Sequence, residues 1–435
     1  MKATEEEEDC DPLLLESGRL EKKDREGLGI PIVPSPNHQA LHLPKHNIAF
    51  HEQIPTEENA NYTVTSQQRQ LQQYCFAISM AFSLSISALL LLFLLSFSVT
   101  SLQQPTNGGP VIFNFGDSNS DTGGLIAGLG YTINPPYGRT YFHRSTGRMS
   151  DGRLIIDFLC QSLNTSLLAP YLDSLSGSKF TNGANFAIVG SSTFPKRIPF
   201  SLSIQVMQFL HFKATAGAKD LIDEEGFRKA LYMIDIGQND LAQLFSKNLS
   251  LTQITKKIPP ITTEIKNAVK TLYDQGGRNF WIHNTGPLGC LPQKLSSVQQ
   301  RDMDTYGCLS TYNAAARLFN VGLRHTCDEM RFELKDVKVV YVDVYAIKYD
   351  LIANSTKYGF TSPLMACCGN GGPPYNYNMR LTCGYPGSQV CKDTSQFISW
   401  DGIHYTEAAN TIVASKILST DYSIPPIPFD FFVRS

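Results

Sequence analysis

Four short apolar runs constrain the fold of this chain more than any other feature. They are VIFNFG (Val111 to Gly116), LYMIDIG (Leu231 to Gly237), NFWIHNTG (Asn279 to Gly286) and VKVVYVDVY (Val337 to Tyr345). Each is rich in β-branched and aromatic residues, and the first three break off at glycine. Such runs read as strands buried on both faces of a sheet. Helical stretches lie between them. Thr262 to Gly277 (TTEIKNAVKTLYDQGG) opens on Thr, sets Ile265, Val269 and Leu272 at helical spacing and ends on Gly. Strands that alternate with helices predict an α/β fold with a mostly parallel sheet covered on both faces. Functional groups in such folds gather beyond the carboxyl ends of the strands. The first run leads there into GDSNSDTGG and the second into GQND.

Of the 435 residues, 42% are hydrophobic and 17% charged, which supplies a large core and excludes wholesale disorder. The net charge of −2 leaves no basic footprint for nucleic acid. Residues 1–75 carry 7 Lys/Arg and 13 Asp/Glu, a net of −6, with no sustained apolar period. They read as a disordered acidic tail. Within it, Asp9, Leu13 and Leu14 resemble an acidic dileucine sorting string, a pattern common by chance.

Residues 76–100 follow as a membrane-directed segment. No charged residue occurs from Gln70 to Gly116, and Phe76 to Val99 is mostly apolar. That length suffices to span a bilayer. Two readings stand side by side. The segment is either a signal anchor holding a type II membrane protein, or, with translation from Met80, a cleaved signal peptide ending near Ser101. Both send the main domain into the secretory lumen, and the cleaved form onward to the exterior or the cell wall.

Eight of the ten cysteines follow this segment, which predicts disulfides. Cys367, Cys368, Cys383 and Cys391 lack the paired C-x-x-C spacing of a zinc site. Sequons at Asn164, Asn248 and Asn354 predict glycosylation there, and Asn61 lies before the apolar segment.

The chemistry is carried by four pieces. Ser118 follows the first strand by two residues, where a serine projects from the sheet top at an expected helix N-terminus. His404 stands in SWDGIHYTEAAN with Asp401 three residues earlier, a spacing that lets a carboxylate hold an imidazole and leave its other nitrogen to take a proton. His283 lies in an apolar strand and reads as a core residue. Asn239, after the second run, offers an amide donor, and Gly190 lets a backbone N–H approach a ligand. No G-x-S-x-G occurs in the chain, so an α/β-hydrolase nucleophile elbow is unsupported.

The ordered set FNFGDSNSDTGG, GANFAIVGSS, IDIGQND, NTGPLGCLP and ISWDGIHYTEAAN resembles the plant GDSL esterase/lipase family of SGNH hydrolases. The resemblance covers about residues 110 to 420, within a hydrolase domain expected at 105–420 and followed by a tail at 421–435. It implies a three-layer α/β/α sandwich of the flavodoxin-like kind. It implies Ser118 as nucleophile, His404 as base and Asp401 as the orienting carboxylate. The N–H groups of Ser118 and Gly190 and the Asn239 amide become the oxyanion hole. Two residues depart from the family pattern: Asn119 stands in place of the Leu that gives the family its name, and Ser191 in place of a small apolar residue.

The reaction expected is hydrolysis of carboxylic esters through an acyl-enzyme. It calls for no metal or organic cofactor. Acyl lipid, acetylated polysaccharide and small esters all remain as substrates, because specificity resides in loops. The loops Pro135 to Phe142 and Pro373 to Tyr377 are aromatic and proline-rich, suited either to lining a pocket or to packing among themselves. The competing reading is an inactive carbohydrate- or lipid-binding protein on the same fold. It predicts loss of at least one of Ser118, Asn239, Asp401 or His404, and all four are present. The only membrane partner expected is the bilayer that residues 76–99 would enter if uncleaved.

Overall fold

The computed structural model describes residues 109–434, apart from 174, 176, 197, 220, 300 and 301. The acidic tail, the apolar run at 76–99 and the sequon at Asn61 lie outside the described residues. Among the described residues, no helix is long and apolar enough to cross a membrane.

A six-stranded sheet forms the centre. Its strands are β1 (Ile112–Gly116), β2 (Gly183–Asn185), β3 (Leu231–Asp235), β4 (Asn279–His283), β5 (Lys338–Val342) and β6 (Ser423–Ile424). The spatial order is β6-β5-β4-β3-β1-β2. All pairs are parallel except β6 on β5. Alternate residues of the middle strands serve opposite cores, as the two-residue period of a strand dictates. Phe113, Phe115, Tyr232, Ile234, Phe280 and Ile282 face one core. Ile112, Leu231, Met233, Trp281, Val340 and Val342 face the other. That explains why these runs are mostly apolar instead of alternating strictly with polar residues.

Helices cover both faces. On the first face lie α3 (Leu202–Ala218), α5 (Leu251–Asp274) and α6 (Ser310–Glu333). On the second lie α2 (Ile155–Ser162), α7 (Val344–Ala353) and α8 (Glu407–Leu418). Two further helices lie beside the site, α1 (Gly124–Leu129) after β1 and α4 (Gln238–Ser246) after β3. The three-layer α/β/α sandwich expected from the sequence is therefore the fold observed.

Three expectations need correction. Helix α5 does not begin at Thr262. It begins after Ser250, whose hydroxyl and Gln253 form a reciprocal cap, and it runs through Pro259 and Pro260. Ile254, Ile258, Ile261 and Ile265 keep one buried face unbroken across the prolines, and this packing outweighs the two missing N–H donors. Of the tail expected at 421–435, the described residues pack onto the domain. Its β6 extends the sheet, and Phe429 and Phe431 pack on Trp281. Finally, Ser118 does not sit at a helix N-terminus, because α1 starts only at Gly124.

The disulfides pair Cys290 with Cys308, Cys367 with Cys391 and Cys368 with Cys383, while Cys160 and Cys327 are buried free thiols. Among the described residues, no group of His, Cys, Asp or Glu is arranged to hold a metal ion.

Candidate active site

Ser118 occupies a single turn at the end of β1. The Asp117 carbonyl accepts from the N–H groups of Ser120 (3.2 Å) and Asp121 (3.0 Å). At the end of β1 the buried Gln205 of α3 binds both backbone groups of Gly116. Gln205 Oε1 accepts from Gly116 N at 2.9 Å, and Gln205 Nε2 donates to Gly116 O at 2.8 Å. The turn is fixed on its far side by Asp121, which is fully buried. One of its oxygens accepts from Gly123 N and Gly124 N; the other accepts from Leu125 N and, at 2.8 Å, from Val189 N. Asp121 thereby joins the Ser118 turn to the residue before Gly190.

Gly190 has φ +81°, and a Cβ there would meet Ile198 at 3.0 Å. Only glycine takes this conformation without strain. Ser191, one of the two departures from the family pattern, is fully buried and donates its hydroxyl to Phe200 O at 2.7 Å. Its carbonyl accepts from Asn239 Nδ2 at 2.9 Å. Asn239 is the second residue of α4. The preceding Gly237 has φ +123°, and a Cβ on it would strike the Phe319 ring at 2.5 Å. The next residue, Asp240, accepts from Thr193 N and Thr193 Oγ1, and Lys196 Nζ donates to Asn239 O at 3.2 Å. The loop holding Gly190 and the helix holding Asn239 are thus bolted together. Among the described residues, the N–H groups of Ser118 and Gly190 meet no protein acceptor.

Asp401 and His404 share a turn between the short strand Phe397–Ser399 and α8, closed by Trp400 N–H donating to His404 O at 2.7 Å. Both side chains are about 95% buried. Asp401 Oδ2 lies 2.7 Å from His404 Nδ1, and Oδ1 accepts the backbone N–H groups of Ile403 and His404. The pairing read from Asp-x-x-His spacing is therefore present. Burial opposes ionisation of Asp401, but the His404 ring and the two backbone N–H groups outweigh it and hold its carboxyl below the usual range. His404 Nε2 is buried with no hydrogen-bond partner among the described residues. In this arrangement it is not hydrogen-bonded to Ser118.

A second set of ionisable groups lies around Asp117. Burial and the nearby Asp235 push the Asp117 carboxyl up to about 7, opposed by two hydrogen bonds from Asn119 and by His404. Those bonds come from Asn119 N and Nδ2, both to Asp117 Oδ1. The leucine usual at 119 has no side-chain donor, so this departure from the pattern changes the electrostatics beside Ser118. Asp235 stays low despite burial, because His283 and Lys348 face it. His283 Nδ1 is 3.6 Å from Asp235 Oδ2, so His283 is buried in the sheet beside a carboxylate and not simply enclosed by apolar groups. Lys348 is buried, which pushes its ammonium pKa down against the pull of Asp235 and Asp117.

Beside these groups lies a small cleft of about 210 Å³, counting space open to solvent. Gln238, Leu288, Leu291, Lys348, Ile403 and Tyr405 are among its lining residues. One tyrosine of each aromatic loop named from the sequence turns inward. Tyr137 is buried against Asp401, and a Cβ on Gly402 would strike Tyr377 at 2.3 Å. Sequence reading does not single out Gln205, Asp121, Asp240 or Lys348, and marks Tyr137 only as part of an aromatic loop.

Residues 112–417 match the family model of GDSL-like lipases and acylhydrolases. The chain belongs to the GDSL lipase/acylhydrolase family. It is 68% identical over 332 residues to a GDSL esterase/lipase of Arabidopsis thaliana, covering 74% of this chain and 90% of that one. It is 45% identical over 346 residues to another GDSL esterase/lipase, from Medicago truncatula, covering 74% and 89%. It is also 43% identical over 367 residues to an esterase of Hevea brasiliensis, covering 78% and 93%. GDSL membership makes the chain a carboxylic ester hydrolase, and nothing favours an inactive binding protein on the same fold.

Proposed function

We propose that this GDSL hydrolase cleaves esters with Ser118 as nucleophile, His404 as base and Asp401 as the carboxylate that orients it. The observation that carries this reading is the two-sidedness of His404. Nδ1 is held on a buried carboxylate at 2.7 Å, while Nε2 is buried and unpaired. That arrangement sets the proton on Nδ1 and leaves Nε2 as the acceptor.

Ser118 Oγ attacks the acyl carbonyl as its proton passes to His404 Nε2. The carbonyl oxygen becomes an oxyanion held by the N–H groups of Ser118 and Gly190 and by Asn239. One Asn239 N–H is taken by Ser191 O. The other has only Asp117 Oδ2, at 3.5 Å, and is free to turn to an oxyanion. Collapse expels the alcohol, which takes the proton from His404. Water then attacks the acyl-enzyme by the same route and releases the acid. Asp117, with its carboxyl pushed up to about 7, places less negative charge beside the oxyanion than an ordinary aspartate would.

The acyl end of the substrate enters the cleft beside Ile403 and Leu288. Acyl lipid, acetylated glycan and small ester all fit this reading, because specificity resides in the loops. The enzyme works in the secretory pathway or outside the cell, delivered by residues 76–99 as a cleaved signal or an anchor. Three disulfides support an oxidising compartment. The sequon residues Asn164, Asn248 and Asn354 are all exposed, as glycan acceptors must be.

The decisive test is active-serine labelling. An organophosphonate should label wild type at Ser118, and Ser118→Ala should lose both label and hydrolysis while remaining folded. Labelling of wild type at another serine refutes the assignment. A panel of esters of rising acyl length, with acetylated xylan, tests the substrate class.

A further inference from the structure

We infer that Tyr137 is a positioning residue for the reaction, acting through Asp401. This inference rests on the triad reading above.

The Tyr137 hydroxyl donates to Asp401 Oδ2 at 2.9 Å, across 264 residues of sequence. This is the same oxygen that holds His404 Nδ1. With Oδ1 taken by two backbone N–H groups, Asp401 receives four hydrogen bonds, two per oxygen. A carboxylate so enclosed has one orientation, and the imidazole on it inherits that orientation. The tyrosine also withdraws charge. An oxygen accepting two hydrogen bonds is a weaker partner for each than one accepting a single bond.

Tyr137 is itself rigidly held. It is buried and packs edge-on to Trp400 at 5.9 Å between ring centres. Cys367, Cys368 and Cys383 complete the cluster around these two rings, tied down by two disulfides. Cys368 N–H donates to Trp400 O at 2.7 Å, so the disulfide-bearing segment grips the residue just before Asp401. The loop from Pro135 to Phe142 thus reaches the site through one hydroxyl.

The ionisable groups facing this assembly can be named. Asp117 faces His404 from the turn after β1. Tyr377 and Tyr385 face Tyr137, and Arg139 lies over the Trp400 ring at 5.4 Å. Of this set, Tyr137 is bonded to Asp401 Oδ2 through its hydroxyl.

Tyr137→Phe keeps the ring and its packing and removes only the hydroxyl. The acid limb of kcat/KM should move to higher pH, because the full charge of Asp401 now favours imidazolium. On the plateau, kcat should fall about tenfold with KM little changed, the loss expected for one hydrogen bond to a charged group. The decisive measurement is a double-mutant cycle with Asp401→Asn. If Tyr137 acts through Asp401, its removal costs little in that background. An unmoved acid limb, or losses that multiply in the double variant, overturns the inference. If Asp401→Asn alone leaves activity intact, the triad reading has failed instead. A thermal melt of each variant checks the fold.

Discussion

Substituting Asp401 with Asn tests the site most directly, because the structure dictates what the new amide must do. Oδ1 of Asp401 accepts two backbone N–H groups, from Ile403 at 2.9 Å and His404 at 2.8 Å. An amide nitrogen placed there would meet two donors. The asparagine must therefore keep its oxygen at this position and put its NH2 where Oδ2 stands. That NH2 then faces His404 Nδ1, which is 2.7 Å from Oδ2 in the native side chain. To accept from it, Nδ1 gives up its hydrogen, and the proton moves to Nε2. The nitrogen that should take the serine proton is then already protonated. A wrong tautomer of this kind costs about 10⁴ in kcat in serine proteases, which is about 5.5 kcal/mol of barrier. A kcat loss of about 10³–10⁴ is expected here, with KM nearly unchanged because Asp401 touches no substrate. Stability should also change with a definite sign. The Asp401 carboxyl is held below its unfolded value of 3.8, so wild type carries a stabilisation that is present above that pH and lost as the pH falls. The amide variant, which does not titrate, lacks it. Steady-state kinetics on one soluble ester, with denaturant melts at neutral and acid pH, measure both effects. A kcat within tenfold of wild type would refute the tautomer argument.

Three further outcomes follow from the same geometry. Asn239→Ala should lower kcat about 10²–10³-fold by removing an oxyanion donor, with KM far less affected; a change confined to KM would make Asn239 a binding residue instead. Asp117, with a carboxyl pushed up to about 7 from 3.8, holds a proton in the native state that the unfolded chain releases, so it makes stability fall as pH rises between those values. Asp117→Asn should flatten that fall in urea melts taken across the window, and an unchanged slope would count against the raised value. Glycan mapping on protein from a plant secretory host should find sugar at Asn164, Asn248 and Asn354 and none at Asn61, and a glycan at Asn61 would reverse the proposed orientation.

The central sheet is legible in the sequence because its strands are buried on both faces. Phe113 and Ile112 serve opposite cores, so neither position can be polar, and the run declares itself. Strand β2 is not legible. Its three residues, Gly183, Ala184 and Asn185, carry no β-branched or aromatic side chain, and beside their pairing with β1 the Asn114 side chain donates to Asn185 Oδ1 at 2.8 Å. Likewise, nothing local distinguishes the C-terminal Phe429 and Phe431 from loop residues until Trp281 is seen beneath them. Helix α5 reads short because Pro259 and Pro260 look like a stop, and only the buried isoleucines on both sides show that it continues.

For the site, the boundary between what can and cannot be read follows sequence separation. Asp401 and His404 are three residues apart on one turn, and their bond is a local fact that spacing reveals. The contacts that hold the rest of the site are long-range: Tyr137 onto Asp401 across 264 residues, Gln205 onto Gly116 across 89, and Asp121 onto Val189 across 68. Tyr137 stands out in the sequence only as part of an aromatic loop, because loop aromatics look the same whether they line a pocket or support a carboxylate. One signal separates the two cases once the fold is known. A buried phenol needs an acceptor for its hydroxyl, and at the top of this sheet the acceptor within reach is Asp401. The same rule applied to Asp121, whose two oxygens take four backbone N–H groups, shows why an aspartate stands there. No uncharged side chain offers that many strong acceptor sites in one place. In the proposed mechanism Asp121 and Gln205 hold the Ser118 turn against the segment bearing Gly190, so their substitution should lower kcat without touching substrate.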